Sequence, residues 1–299
     1  MTTWQRVEQL LGSDNLKRLA QKRVGVVGLG SGGGFVALSL AMSGVGQFVL
    51  VDSDVLEAGN VVRHVADLRY VGQNKAAAVA DLIKQRNPQA HIEVREGRIE
   101  DHADALDDLD ILVVGVDGEN AKFIINEAAL KRRLTAVYAG VYERGEGGDV
   151  VMIRPYDGPC YACWSQELRA GVVQPRPGEQ GELDYGMIGE EGTLEAEPGL
   201  WVHVTKVASI QTDMVLNELL RGTDVSEDMP ANTIIIANNA LEILDGETSD
   251  PHTGIWVDVP RDPDCLVCGS KFQLSSEKHA AISLDELGGD IVFEDELEE

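Results

Sequence analysis

The sequence predicts an α/β protein built on a doubly wound, mostly parallel sheet, with further C-terminal strands and a four-cysteine metal site added to it. Three observations carry this expectation. Short apolar runs alternate with helix-spaced segments through about the first 140 residues. A glycine-rich turn, Gly28-Leu-Gly-Ser-Gly-Gly33, joins the first run to the first helical segment. Two Cys-x-x-Cys hooks, Cys160/Cys163 and Cys265/Cys268, follow about a hundred residues apart and hold all four cysteines.

Each element has its own reason. Val24-Gly-Val-Val-Gly28 is a buried strand ending in glycine, 31–43 has helical spacing, and Phe48-Val-Leu-Val-Asp52 is a second buried strand ending in an acid. Residues 75–86 read as a helix stopped by Asn87-Pro88, and His91-Ile-Glu-Val-Arg95 as the strand after it. Ile111-Leu-Val-Val-Gly115, then 121–133, then Thr135-Ala-Val-Tyr-Ala139 repeat the strand-helix-strand unit. Asp149-Val-Val-Met-Ile-Arg154 is a strand leading to the first cysteine hook. Residues 166–198 are rich in glycine and proline, and so long an irregular stretch in a compact domain is read as a functional loop or lid. Residues 201–221 carry the spacing of a long helix with Gly222 as its stop, and 233–237 and 255–259 are late strands, the second delivering the chain to Cys265. From 270 onward apolar content falls and acids accumulate, so 270–299 is expected to be a disordered acidic tail behind a domain over 1–269. Within that domain the nucleotide-binding half is 1–150, and 151–269 holds the cysteines and the loop.

Composition limits the partners. The 299 residues include 51 acidic and 25 basic side chains, a formal charge of −26, which repels nucleic acid and anionic lipid. The start, Met1-Thr-Thr-Trp-Gln-Arg6, carries no apolar signal segment, and no apolar run reaches the length of a membrane span, so a cytoplasmic protein is expected.

The glycine turn has a mechanism. Gly28 permits the sharp turn off the strand, Gly30 lets backbone approach a phosphate, and Gly33 lets the helix pack against the sheet, with phosphate oxygens on free N–H groups at the helix start. Asp52 would hydrogen-bond a ribose in ATP or in a dinucleotide alike, so an NAD(P)-binding oxidoreductase on the same Rossmann-like fold stays open. The cysteine hooks have the spacing of a tetrahedral Zn²⁺ site, because two intervening residues let both sulfurs of a hook reach one ion. Two disulfides or four ordinary buried thiols would use the same residues, the disulfides only in an oxidising compartment.

The segment after Asp52 narrows the choice. Asp52-Ser-Asp54-Val-Leu-Glu-Ala-Gly-Asn60-Val-Val-Arg63, then Val71-Gly-Gln-Asn-Lys75, and later Val114-Gly-Val-Asp117 resemble the ubiquitin-activating-enzyme-like superfamily of ThiF and MoeB. The resemblance, which covers the chain to about residue 269, implies an adenylyltransferase that uses ATP to activate the C-terminal carboxylate of a small ubiquitin-like or sulfur-carrier protein ending in Gly-Gly, or in some branches of a peptide. It implies that Asn60, Arg63 and Lys75 hold the triphosphate, that Asp117 binds Mg²⁺, and that the distant hooks hold a structural Zn²⁺. It further implies a homodimer in which Arg6, matched by its spacing to Gly12, reaches the γ-phosphate of the other subunit. Many members carry an acyl-accepting cysteine in the crossover loop. Residues 166–198 contain none, so release of the acyl-adenylate to a separate nucleophile is expected. Ser165, Tyr185 and Thr193 are unactivated hydroxyls and poor substitutes. A non-catalytic partner subunit is the other alternative, and the presence of every nucleotide-contacting residue type stands against it.

Overall fold

The computed structural model describes residues 4–168, 199–244 and 247–270. The expected loop from residue 169 to 198, with Tyr185 and Thr193, and the acidic tail from 271 onward lie outside the described residues. Two short helices, α1 (Gln5–Leu11) and α2 (Ser13–Gln21), precede β1 (Arg23–Val27), α3 (Ser31–Met42) and β2 (Gln47–Asp52). After two 3-10 turns, Ala58–Arg63 and Leu68–Tyr70, come α4 (Lys75–Arg86), β3 (His91–Glu96), β4 (Ile111–Val114), α5 (Glu119–Arg132) and β5 (Ala136–Val141). The second half adds β6 (Gly147–Ile153), α6 (Tyr161–Leu168), α7 (Trp201–Leu219), β7 (Thr233–Ala237), a small hairpin of β8 (Leu241–Leu244) and β9 (Glu247–Ser249), and β10 (Gly254–Val257).

Eight strands form one sheet in the order β10-β7-β6-β5-β4-β1-β2-β3. Strands β1 to β5 pair in parallel, and β6, β7 and β10 extend the sheet antiparallel, so the mostly parallel α/β expectation holds for the half that carries the glycine turn. Strand residues alternate between two cores because successive side chains point to opposite faces. Val24, Phe48, Leu50, Ile111, Val113 and Val137 pack on one face with α3 and α7 residues such as Leu40 and Val215. Val49, Val51, Leu112, Val114 and Tyr138 pack on the other with Phe123 of α5 and with Tyr161 and Trp164 of α6. With both faces covered, the central strands read as continuous apolar runs.

Local chemistry sets the element ends. The Asn74 side chain accepts from Ala76 and Ala77 N–H at 2.9 and 3.3 Å, capping α4, and donates to the Asp52 carbonyl at 2.9 Å, which ties the helix start to the end of β2. One expectation needs correction. Residues 166–168, assigned to the irregular loop, complete α6, which begins directly after Cys160; the apolar face of this helix is buried, with Trp164 Nε1 donating to Thr233 Oγ1 at 3.0 Å. The hairpin of β8 and β9 had no counterpart among the expected strands.

Candidate functional site

The chain runs β1, β2, β3 toward one edge of the sheet and then returns to place β4 and β5 on the other side of β1. Where that order reverses, the carboxyl ends of the strands open into a cleft of about 810 Å³. Its wall includes Gly28, Gly30, Gly33, Asp52, Asn60, Arg63, Lys75 and Asp117, so every residue expected to contact the nucleotide of its own chain reaches one space.

The glycine turn is shaped by contact on one side and openness on the other. Gly28 has φ +86°, and a Cβ on Gly33 would lie 1.8 Å from the Gly28 carbonyl oxygen, so neither position admits a side chain without moving backbone. A Cβ on Gly30 would meet no atom within 4 Å and would instead fill part of the cleft. Leu29 between them is pinned from both ends. Its N–H donates to Asp52 Oδ2 at 2.5 Å, and its carbonyl accepts from His64 Nε2 at 2.7 Å. His64 Nδ1 accepts the Ala66 N–H at 3.0 Å, which assigns the ring proton to Nε2. Burial holds the His64 pKa below its ordinary value, so the ring stays neutral. Burial likewise pushes the Asp52 carboxyl up, opposed by the N–H groups of Asp54 and Leu29. Asp52 is therefore a clamp on the glycine turn.

The cations come from the segment after β2. The Asn60 side chain accepts the Glu57 N–H at 3.1 Å and closes a capping box on the turn Ala58–Arg63, which carries Arg63 toward the cleft. Lys75, at the start of α4, pairs with Asp54 at 2.7 Å, and this contact holds the Asp54 carboxyl below the usual range. Asp117 follows β4 and is exposed in the cleft; its side chain makes no hydrogen bond or ion pair with a described residue, leaving both oxygens open. Beneath it Lys122 pairs with Glu119 at 2.8 Å, both side chains only 3 % exposed, and Tyr161 donates to the other Glu119 oxygen at 2.8 Å. Arg6 stands apart, exposed on α1 and absent from the cleft wall.

All four cysteines meet in one buried cluster. Cys160 Sγ lies 3.7 Å from Cys163 and 3.8 Å from Cys265, and Cys163 lies 3.4 Å from Cys268. Sulfurs at about 2.3 Å from a tetrahedral Zn²⁺ are separated by about 3.8 Å, so the cluster fits that ion. The Val267 N–H points at Cys265 Sγ at 3.4 Å, as a donor to a thiolate would. If all four were thiolates, charges buried this close together would need a cation among them. No disulfide links the cysteines, and Ser165 is buried with its hydroxyl on the Ala162 carbonyl at 3.2 Å.

Lys122, Gln211 and Arg144 are among the cleft residues that the sequence reading did not mark. Lys122 lies in the first turn of α5 and i+3 from Glu119, a spacing that could have marked it. Gln211, a polar residue on the apolar face of α7, donates to the carbonyls of Val114 and Val137 at 3.2 and 2.9 Å. Arg144, in the turn after β5, left no periodic signal.

Comparison with known proteins agrees with this geometry. The chain is 29 % identical over 283 residues to the SAMP-activating enzyme E1 of Haloferax volcanii, covering 92 % of each chain. It is 34 % identical over 140 residues to the probable adenylyltransferase/sulfurtransferase MoeZ of Mycobacterium tuberculosis, an alignment spanning 46 % of this chain and only 36 % of that protein. Its fold matches the microcin C7 biosynthetic enzyme MccB, solved in complex with N-formylated MccA, with a TM-score of 0.67 and 22 % identity over 90 % of this chain and 75 % of that one. The ThiF family model matches residues 4–251, and the chain belongs to the ThiF family.

Proposed function

We propose that the protein is an ATP- and Mg²⁺-dependent adenylyltransferase that activates the C-terminal carboxylate of a small ubiquitin-like or sulfur-carrier protein ending in Gly-Gly and releases pyrophosphate. The observation that carries this reading is the convergence of Asn60, Arg63, Lys75 and Asp117 with an open glycine turn on one cleft. A carboxylate oxygen attacks the α-phosphorus of ATP, the bond from that phosphorus to the bridging oxygen breaks, and pyrophosphate departs with the electron pair. Such chemistry is mostly positioning and charge neutralisation and needs no general base. The turn supplies N–H groups to phosphate oxygens, Arg63 and Lys75 offset the charge of the departing group, and Asp52 orients the ribose. To do so Lys75 must exchange Asp54 for phosphate. Asp117 would hold Mg²⁺, which when bound neutralises phosphate charge.

The four cysteines would hold one structural Zn²⁺, since four sulfur ligands leave no open coordination position. With every cysteine of the chain in that cluster, no internal thiol is left to accept the acyl group, which supports release of the acyl-adenylate to a separate nucleophile. Unbridged cysteines fit a reducing compartment, and we place the reaction in the cytoplasm. Among the described residues no helix is long and apolar enough to cross a membrane.

Carboxylate-dependent exchange of labelled pyrophosphate into ATP tests the reading. Wild-type protein should exchange, and Asp117→Ala should lose at least about 100-fold in rate with an unchanged melting temperature, because an exposed cleft acid supports chemistry rather than packing. Absence of exchange with any Gly-Gly-terminated carrier, together with binding of a nicotinamide cofactor, would replace this function by oxidoreduction.

A further inference from the structure

We propose that Arg144 receives the carboxylate of the acyl substrate and thereby selects a free C-terminus, an assignment that rests on the adenylyltransferase reading above. Along the carboxyl edge of the sheet, strands β2, β1, β4 and β5 are consecutive. They bring to the cleft, in that order, Asp52, the glycine turn, Asp117 and the turn holding Arg144. Asn60, Arg63 and Lys75 all follow β2, so the pyrophosphate side of the cleft is the β2 side. In-line displacement brings the attacking group from the side opposite the leaving group, and that is the β5 side.

The conformation of Arg144 is unusual for its residue type. It has φ +54° and ψ +12°, left-handed backbone that few non-glycine residues adopt and that Arg133 shares at the end of α5. The N–H groups of Asn238 and Asn239 both donate to the Glu146 carbonyl, at 2.8 and 3.0 Å, and Asn238 Nδ2 donates to the Gly145 carbonyl at 2.9 Å. Gly145 follows with φ +70°, packed so closely on His203 that a Cβ there would lie 2.5 Å from the ring. A strained position held this firmly presents one side chain to the cleft.

That side chain is a cation with open valences. Lys75 is paired with Asp54 and Lys122 with Glu119, whereas the Arg144 guanidinium makes no hydrogen bond or ion pair with any described residue, its neighbour Glu143 included. The lining of the same cleft includes the apolar Val141, Leu200 and Val204 together with Tyr142 and Glu143. A carboxylate approaching a triphosphate is repelled by it. An arginine fork can hold one carboxylate oxygen, offset that repulsion and leave the other oxygen aimed at the α-phosphorus.

Calorimetric titration of the full-length protein tests the assignment with three probes: an ATP analogue with a non-hydrolysable α–β methylene bridge, a synthetic peptide ending in Gly-Gly with a free carboxylate, and the same peptide amidated. The peptides are titrated into protein saturated with the analogue. Arg144→Gly suits the left-handed backbone and should melt no lower than wild type. It should bind the analogue as wild type does and the free peptide at least about tenfold more weakly, the loss of one charge-assisted contact. The amidated peptide should not distinguish the two proteins, and Arg144→Lys should lie between them for the free peptide. Equal loss of analogue and peptide binding would make Arg144 a phosphate ligand and overturn the proposal, as would unchanged peptide binding. Wild-type protein that binds the analogue but neither peptide would overturn the function proposed above, and this assignment with it.

Discussion

His64 shows how much a single neutral side chain does at this site. Its ring proton lies on the Leu29 carbonyl while Asp52 takes the Leu29 N–H, so two side chains distant in sequence fix one peptide of the glycine turn. Because burial lowers its pKa below 6.5, the unfolded chain takes up a proton before the native state does. The resulting stability is fully present above 6.5 and is lost as pH falls toward the native value. Wild-type protein should therefore lose more melting temperature between about pH 7.5 and pH 5.5 than His64→Gln does, while the variant starts lower by about 1–3 kcal/mol for its altered hydrogen bonds. Parallel pH profiles for the two proteins would show that His64 is not the titrating group. At this scale the sequence was readable where a residue's role is local: an acid ending a strand, or glycines in a turn. It was silent on the Leu29 clamp, which depends on how a turn 35 residues away packs under the first.

Among the elements, the eight strands of the main sheet were legible to within about two residues because alternate side chains feed two apolar cores, whereas the β8–β9 hairpin was not, and 75–86 matched α4 because Asn74 and Asn87-Pro88 mark its ends. α6 was hidden. Its sequence, Tyr161-Ala-Cys-Trp-Ser-Gln-Glu-Leu168, follows Pro159 and carries a cysteine hook, so the helical pattern is short and its burial comes from partners in β7 and α5 rather than from a visible stripe. This helix also makes the cysteine cluster a joint between elements, since Cys163 sits within it and Cys265 and Cys268 follow β10. Elemental analysis should give one zinc per chain, falling to none in Cys265→Ser. By analogy with a covalent cross-link closing a loop of about 100 residues, the variant should be less stable by about 4–5 kcal/mol, read from its denaturant midpoint. A wild-type protein stripped of its metal that kept the midpoint of the loaded protein would leave the cluster without a structural role.

At the scale of the whole molecule, the strand order was legible only in the parallel half, where strand-helix-strand units dictate direction; nothing in the apolar runs of β6, β7 and β10 fixes that they add antiparallel. Nor could a single chain show what α1 faces. That helix buries none of its residues, Leu10 is 78 % exposed, and Arg6 lies outside the wall of its own cleft, features in keeping with the homodimer that the family resemblance implies, in which Arg6 serves the neighbouring site. Mixing Arg6→Ala with Asp117→Ala subunits should restore about a quarter of the wild-type exchange rate, because half the dimers are mixed and each has one intact site. Mixtures as inactive as either variant alone would return Arg6 to its own chain. The spacing of the cysteine hooks has a consequence in time. Cys163 and Cys268 are 105 residues apart, and at about 5–20 residues per second of synthesis the first hook exists for roughly 5–20 s before the second is made. During that interval the residues of β1 to β5 are already made while Cys160 and Cys163 lack the second hook, so the four-sulfur cluster can close only after the sheet's parallel half has been synthesised.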